Sequence, residues 1–202
     1  MAQDPEEMGL ADLARRGDHG AFARLCARHR ERVWRIVSSA AASPADAEDL
    51  AQEAVLRAYQ ALAGFGGRCA FGSWLCRIAL NVAHDHLRSA WRRRVVLCDE
   101  EPDPAGGGST SAEALAEQRE RQRRVRQSVA ALPPKQALPI ALHYFEGYSL
   151  AELARLEGTK EATLRSRVRA GLRRLEPSLR DLVGEDAAPP LAVEPEPEGC
   201  EV

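Results

Sequence analysis

Apolar residues in the first half of the chain recur at helical rather than strand spacing. Phe22, Leu25, Cys26, Val33, Ile36 and Val37 fall roughly three or four apart, after Gly17-Asp18, where the Asp18 carboxylate can cap a helix start. Ser43-Pro44-Ala45-Asp46 is a stronger start signal. It offers a capping hydroxyl, a proline at the first helical position, where a missing N–H costs nothing, and an acid in the first turn. The helix it launches is predicted to run to Ala63. A glycine-rich loop from Gly64 to Gly72 then leads to a third long helix, from Ser73 to about Arg94.

The second half opens with a weaker helix near Glu113 to Leu132, which Pro133-Pro134 must interrupt. Another follows near Gln136 to Phe145, and Pro139 inside it is expected to kink or shift it. Ser149-Leu150-Ala151-Glu152 is a capping box; it opens a short helix that ends at Gly158, after which Thr159 can cap a helix to about Leu175. Two helices joined by a tight glycine-containing turn read as a helix-turn-helix. Turn-bounded β-branched runs are missing, so the predicted fold is all-α.

Composition divides this helical chain. The stretch DEEPDPAGGGSTSA (99–112) is too rich in Pro, Gly and charge to bury a face and reads as a flexible acidic linker. The segment from Gly184 to Val202, with alternating Glu and Pro, reads as a disordered acidic tail. The expected organisation is therefore two small helical domains, 10–98 and 113–183, with a linker at 99–112 and a tail at 184–202. Charge follows the same division. The net charge of −2 conceals 14 bases against 11 acids in residues 1–98 and 14 against 9 in 113–183, with only acids, four and six, in linker and tail.

Three helix faces carry residues that a core does not require. On the helix after Ser43, the residues Ala47, Leu50, Ala51, Ala54, Val55, Ala58, Ala61 and Leu62 form the core face, and Asp49, Gln52, Glu53, Leu56 and Tyr59 gather opposite. Leu56 and Tyr59 among acids suit an apolar anchor for a basic protein partner; a solvated face with two stray apolar residues is the alternative. On the next helix, Leu75, Ile78, Ala79 and Val82 face inward, while Arg77, Asn81, His84, Arg88 and Trp91 form a polar stripe that Arg92-Arg93-Arg94 extends. Such a stripe can hold phosphates, pair with a base edge and stack on an unpaired base, although a salt-bridged helix face has the same pattern. On the last helix, Leu164, Val168, Leu172 and Leu175 make an apolar seam. Opposite lie Ala162, Thr163, Ser166, Arg169, Ala170 and Arg173, flanked by Arg165 and Arg167. Small residues between arginines let a helix enter a major groove.

Other chemistry is not indicated. The five cysteines (Cys26, Cys69, Cys76, Cys98, Cys200) show neither CxxC nor Cys/His ligand spacing, and His84 and His86 point apart on a helix, so neither a disulfide framework nor a metal site is expected. No stretch resembles a signal peptide or could span a bilayer, which leads to the expectation of a soluble, cytoplasmic protein without membrane insertion. No phosphate loop or nucleophile constellation appears, so no enzyme and no cofactor are expected.

Together, Gly17-Asp18 through Ala21-Phe22, SPADAEDLAQEAVLRAYQAL, FGSWLCRIALNVAHDHLR and LPPKQ…HYFEGYSLAELARLEGTKEATLRSRVRAGLRRL resemble conserved regions 2 and 4 of bacterial extracytoplasmic-function (ECF) sigma factors, in order and with a short linker. The resemblance implies a non-catalytic subunit that binds core RNA polymerase, through its β′ and β subunits, and directs it to promoter DNA under the control of an anti-sigma factor. It implies that Glu48, Asp49, Gln52, Glu53, Leu56 and Tyr59 dock on polymerase. It also implies that Arg68, Phe71, Arg77, Asn81, His84, Arg88 and Trp91 capture the minus-ten element, and that Thr163, Arg165, Ser166, Arg167, Arg169 and Arg173 read the minus-thirty-five element. Cys69 and Gly72 depart from the more polar loop usual there. The competing expectation is a helix-turn-helix regulator that does not bind core polymerase.

Overall fold

The computed structural model describes residues 4–96 and 111–183, and every regular element in them is helical. The first bundle holds α1 (Pro5–Arg15), α2 (His19–Ser38), α3 (Pro44–Ala61) and α4 (Phe71–Val96), with a 3-10 turn at Leu62–Gly64. The local start signals act as the sequence predicts: the Asp18 carboxylate accepts from the Ala21 N–H at 2.9 Å, and the Ser43 hydroxyl from the Asp46 N–H at 3.1 Å. Helix α3 ends at Ala61, short of the predicted Ala63, because the chain tightens into the 3-10 turn. Helices α2 and α4 form the central pair, α1 packs on α2, and α3 lies across both.

The second bundle comprises α5 (Ser111–Ala130), α6 (Pro134–Tyr144), α7 (Leu150–Glu157) and α8 (Glu161–Val183). Helix α5 thus begins at Ser111, inside the predicted linker, and residues 97–110 and 184–202, which hold the rest of the linker and the tail, lie outside the described residues. Helix α6 runs through Pro139, which is buried within it. The capping box at Ser149 and Glu152 forms with both of its hydrogen bonds, and Gly158 ends α7 at φ 68°, a left-handed conformation that glycine takes without strain. Thr159 does not cap α8. Its N–H closes the end of α7 on the Ala154 carbonyl at 2.9 Å, and α8 starts two residues later.

Leu164, Val168 and Leu175 are buried as expected, and α8 lies against α6 so closely that a Cβ on Gly171 would stand 2.5 Å from Ile140 Cδ1. The bundles also touch each other, through α4 against α6 and α7. That contact explains why the buried face of α4 is wider than predicted and includes Cys76, Leu80, Ala83 and Leu87 besides Leu75, Ala79 and Val82. A helix packed on two bundles needs more apolar arc than one packed on a single core. The buried residues of both halves form one continuous cluster.

Candidate nucleic-acid and protein interfaces

An open groove of about 1320 Å³ runs between α2 and α3. Glu48, Gln52, Leu56 and Tyr59 line it from α3, together with Val55, and Leu56 is 56% exposed at its edge. The Tyr59 hydroxyl lies 3.1 Å from His19 Nδ1, and its ring stands edge-on to Phe22 at 5.3 Å. Asp49 and Glu53 are exposed but lie outside the groove, further round the helix. The Glu53 carboxylate turns to Arg57, at 2.6 Å, and Arg57 also bonds Asp85 of α4 at 2.9 Å. The Arg57 hydrogen bond, ahead of the contact with Arg88, lowers the Asp85 pKa from its ordinary value.

The other wall of the groove escapes the sequence reading. Helix α2 supplies Cys26, Arg30, Glu31 and Trp34, and the Trp34 indole remains 38% exposed. A tryptophan beside the α2 seam, flanked by charges, was the available signal. Because Arg28 and Arg30 also border the groove, its rim is of mixed charge rather than purely acidic. Burial pushes the Cys26 thiol up to about 11, which keeps it protonated and unreactive at neutral pH.

Phe71 corrects the expected DNA-facing loop. It is the first residue of α4, only 2% exposed, and stacks among Phe22, Phe65 and Trp74 at centroid distances of 6.4, 5.5 and 5.4 Å. Its ring belongs to the core, whereas Arg68 and Cys69 in the same loop are exposed. The stripe on α4 is present but not uniformly free. Asn81 is exposed, Arg88 bonds Asp85, and Trp91 is half-buried. Arg77 and His84 face the second bundle. Arg77 Nε donates to the Leu156 carbonyl at 3.0 Å and its Nη2 to the Arg155 carbonyl at 3.2 Å, while His84 Nε2 lies 3.6 Å from Glu157 Oε1.

On α8, Thr163, Ser166, Arg169 and Arg173 form an exposed face, and no ion pair holds either of these two arginines among the described residues. The flanking arginines are engaged: Arg165 with Glu161 at 2.6 Å, and Arg167 with Glu157 at 2.9 Å. Glu157 thereby stands between His84 of the first bundle and Arg167 of the second. Among the described residues no cluster of His, Cys, Asp or Glu could hold a metal ion, and no helix is long and apolar enough to cross a membrane.

A helical bundle joined to a helix-turn-helix with an arginine-bearing second helix defines a two-domain DNA-binding protein, and comparison with known proteins narrows the class. The family models described as Sigma-70 region 2 and Sigma-70, region 4 match residues 25–93 and 122–175. The chain is 31% identical to the ECF RNA polymerase sigma-E factor of Escherichia coli over 83% of its length and 91% of the relative's. It is 30% identical to the RNA polymerase sigma-H factor of Pseudomonas aeruginosa over 92% of its length and all of the relative's. The chain belongs to the ECF group of the sigma-70 family, and its role is that of a sigma factor and not of an enzyme.

Two solved structures share the fold. CnrH in complex with the cytosolic domain of CnrY matches at a TM-score of 0.58 and 24% identity, covering 88% of this chain and 99% of that one. The sigma factor RpoE in complex with the anti-sigma factor NepR from Bartonella quintana matches at 0.51 and 20%, covering 82% and 98%. The plain cytoplasmic assignment drawn from the sequence is corrected by the first of these. CnrH is held by a domain that is only the cytosolic part of its partner, and a chain's own lack of apolar spans does not report where its partners hold it.

Proposed function

We propose that this sigma factor binds core RNA polymerase, on its β′ and β subunits, through the groove between α2 and α3, with Asp49 and Glu53 on the outer rim. The single observation that carries the reading is the groove itself. It brings the apolar anchors Trp34, Leu56 and Tyr59 together on exposed helix faces and rings them with Glu31, Glu48, Gln52 and Arg30. An exposed aromatic and aliphatic patch with a charged surround is the anatomy of a protein-binding site.

In the same reading residues 10–98 recognise the minus-ten element through Arg68 and the α4 stripe of Arg77, Asn81, His84, Arg88 and Trp91. Residues 113–183 read the minus-thirty-five element with Thr163, Ser166, Arg169 and Arg173 on the base edges and Arg165 and Arg167 on phosphates. The complexes of CnrH with CnrY and of RpoE with NepR support an anti-sigma factor as the regulatory partner.

The test is a pull-down with purified core polymerase. Gln52→Arg with Leu56→Ala changes two exposed groove residues, so the fold should survive, since exposed substitutions usually cost within about 0.5 kcal/mol. The double variant should lose polymerase association and run-off transcription while keeping its melting curve. A folded double variant that binds polymerase like the wild type would exclude this groove, and a wild type that fails to bind would leave the plain helix-turn-helix regulator.

A further inference from the structure

We infer that the acidic segment at 184–202 docks on the exposed face of α8 and competes there with DNA phosphate for Arg169 and Arg173. The competition rests on the DNA role proposed for α8; the docking does not. The surface is defined by unpaired charge. Four arginines of α8 have partners: Arg165 with Glu161, Arg167 with Glu157, Arg174 with Gln136 at 2.8 Å and Arg180 with Glu176 at 2.7 Å. Arg169 and Arg173 are exposed and have no ion pair or hydrogen-bond partner among the described residues. They stand four residues apart on one face, about 6 Å along the axis. Like charges at that spacing destabilise a helix, so an anion lying over both is favoured.

Sequence and reach name the occupant. Helix α8 ends at Val183, and residues 184–202 hold six acids and no base, three of them in Glu194-Pro195-Glu196-Pro197-Glu198. Arg173 and Arg169 lie ten and fourteen residues before Val183, about 15 and 21 Å back along the helix at about 1.5 Å per residue. Glu194 follows Val183 by eleven residues, and a chain of that length averages about 18 Å end to end and spans about 36 Å when extended. A tether whose average length matches the span gives its ligand the highest local concentration. The acids closest to this face along the chain, Glu157 and Glu161, are already committed to Arg167 and Arg165. Carboxylate and phosphate oxygens bind guanidinium in the same forked geometry, so DNA must displace the segment. Affinity then falls by the fraction of molecules in which the face is free.

Two measurements on the full chain and its variants test this. In the first, a spin label is placed on Cys200 in a chain carrying Cys69→Ser and Cys98→Ser, which leaves the protonated Cys26 and the buried Cys76. At low salt the label should broaden the amide resonances of Thr163, Ser166, Arg169 and Arg173. The broadening should disappear at high salt, and also when the six acids are changed to their amides. Broadening centred on another surface, or none at all, would overturn the docking.

The second measurement is fluorescence anisotropy with a random-sequence duplex. A chain ending at Val183 and the full-length amide variant should both bind about three- to ten-fold more tightly at low salt, with the gap closing as salt rises. Removing six acids also moves the net charge from −2 to +4, so a control is needed. In a chain with Arg169→Ala and Arg173→Ala the same truncation should give no gain. If those substitutions weaken the truncated chain and the gain from truncation persists, the effect is bulk electrostatics and the inference is overturned. Docking by the label with unchanged affinity in both tail variants would overturn the competition. Failure of the DNA reading itself looks different: the truncated chain would bind the duplex equally well with and without the two arginines.

Discussion

Gly72 lies against the imidazole of His29 so closely that a Cβ built on it would stand 2.5 Å from Cε1 and 2.6 Å from Nδ1. His29 Nε2 in turn lies 2.9 Å from Glu7 Oε1, in a geometry not aligned as a hydrogen bond. The glycine that departs from the usual polar loop is thus required by packing of α4 on α2. Gly72→Ala should destabilise the fold by about 1–3 kcal/mol, the usual cost of overpacking. His29→Ala in the same chain should recover part of that loss, so a double-mutant cycle by urea denaturation should show a coupling of the two sites.

Phe71 should behave as a core residue. Phe71→Ala should cost about 3–5 kcal/mol by chemical denaturation, as expected for removing a buried phenyl ring. Phe71→Leu should retain most of the stability and leave promoter selectivity in run-off transcription unchanged.

The capping box of α7 makes stability depend on acid. Hydrogen bonds from the Ser149 hydroxyl, at 2.7 Å, and from its backbone N–H, at 3.0 Å, lower the Glu152 pKa from its ordinary 4.5. With the folded value below the unfolded one, the unfolded chain takes up the proton first. The contribution is therefore complete above pH 4.5 and is lost as pH falls through the folded value. Ser149→Ala should cost about 1 kcal/mol at neutral pH. Glu152→Gln should flatten the acid limb of a melting-temperature profile, which differential scanning calorimetry between pH 3 and 7 would measure.

The two kinds of arginine on α8 should separate by assay. Arg169→Ala, on the exposed face, should lose about 1–3 kcal/mol of discrimination between promoter sequences. Arg165→Ala, at the flank, should weaken all sequences alike and reduce the salt slope by about one. Anisotropy titrations on a selected promoter and a scrambled duplex across a salt series would distinguish them, and equal effects on specificity would contradict the division of roles.

Trp34 should matter to polymerase association as much as Leu56 does. Trp34→Ala removes an aromatic anchor from the α2 wall of the groove and should weaken core polymerase binding by about 2 kcal/mol, in the range of interface hot spots, with little change in melting temperature. Surface plasmon resonance on immobilised core enzyme would read the change.

What the sequence determined by itself is the set of local elements. Asp18, Ser43 and the Ser149-Glu152 box each satisfy N–H groups within three residues of themselves, and Gly158 takes a left-handed conformation that its own lack of a side chain permits, so these signals act without knowledge of the rest of the fold. The apolar seams on α2, α3 and α8 follow from helical period alone. The family resemblance was legible for a related reason: it lies in runs of residues along the chain.

Which side chains remain available was decided only by the tertiary structure, because availability depends on the neighbour that packing supplies. Phe71, at the end of a glycine-rich loop, became core once Phe22, Phe65 and Trp74 surrounded it. Trp34, next to the α2 seam, became a groove wall because α3 passes alongside. Arg77, one member of a regular stripe, became a helix cap because α7 ends against it. Helical period says which residues share a face; it does not say what that face meets, and carbonyls, carboxylates and rings from distant parts of the chain make that choice.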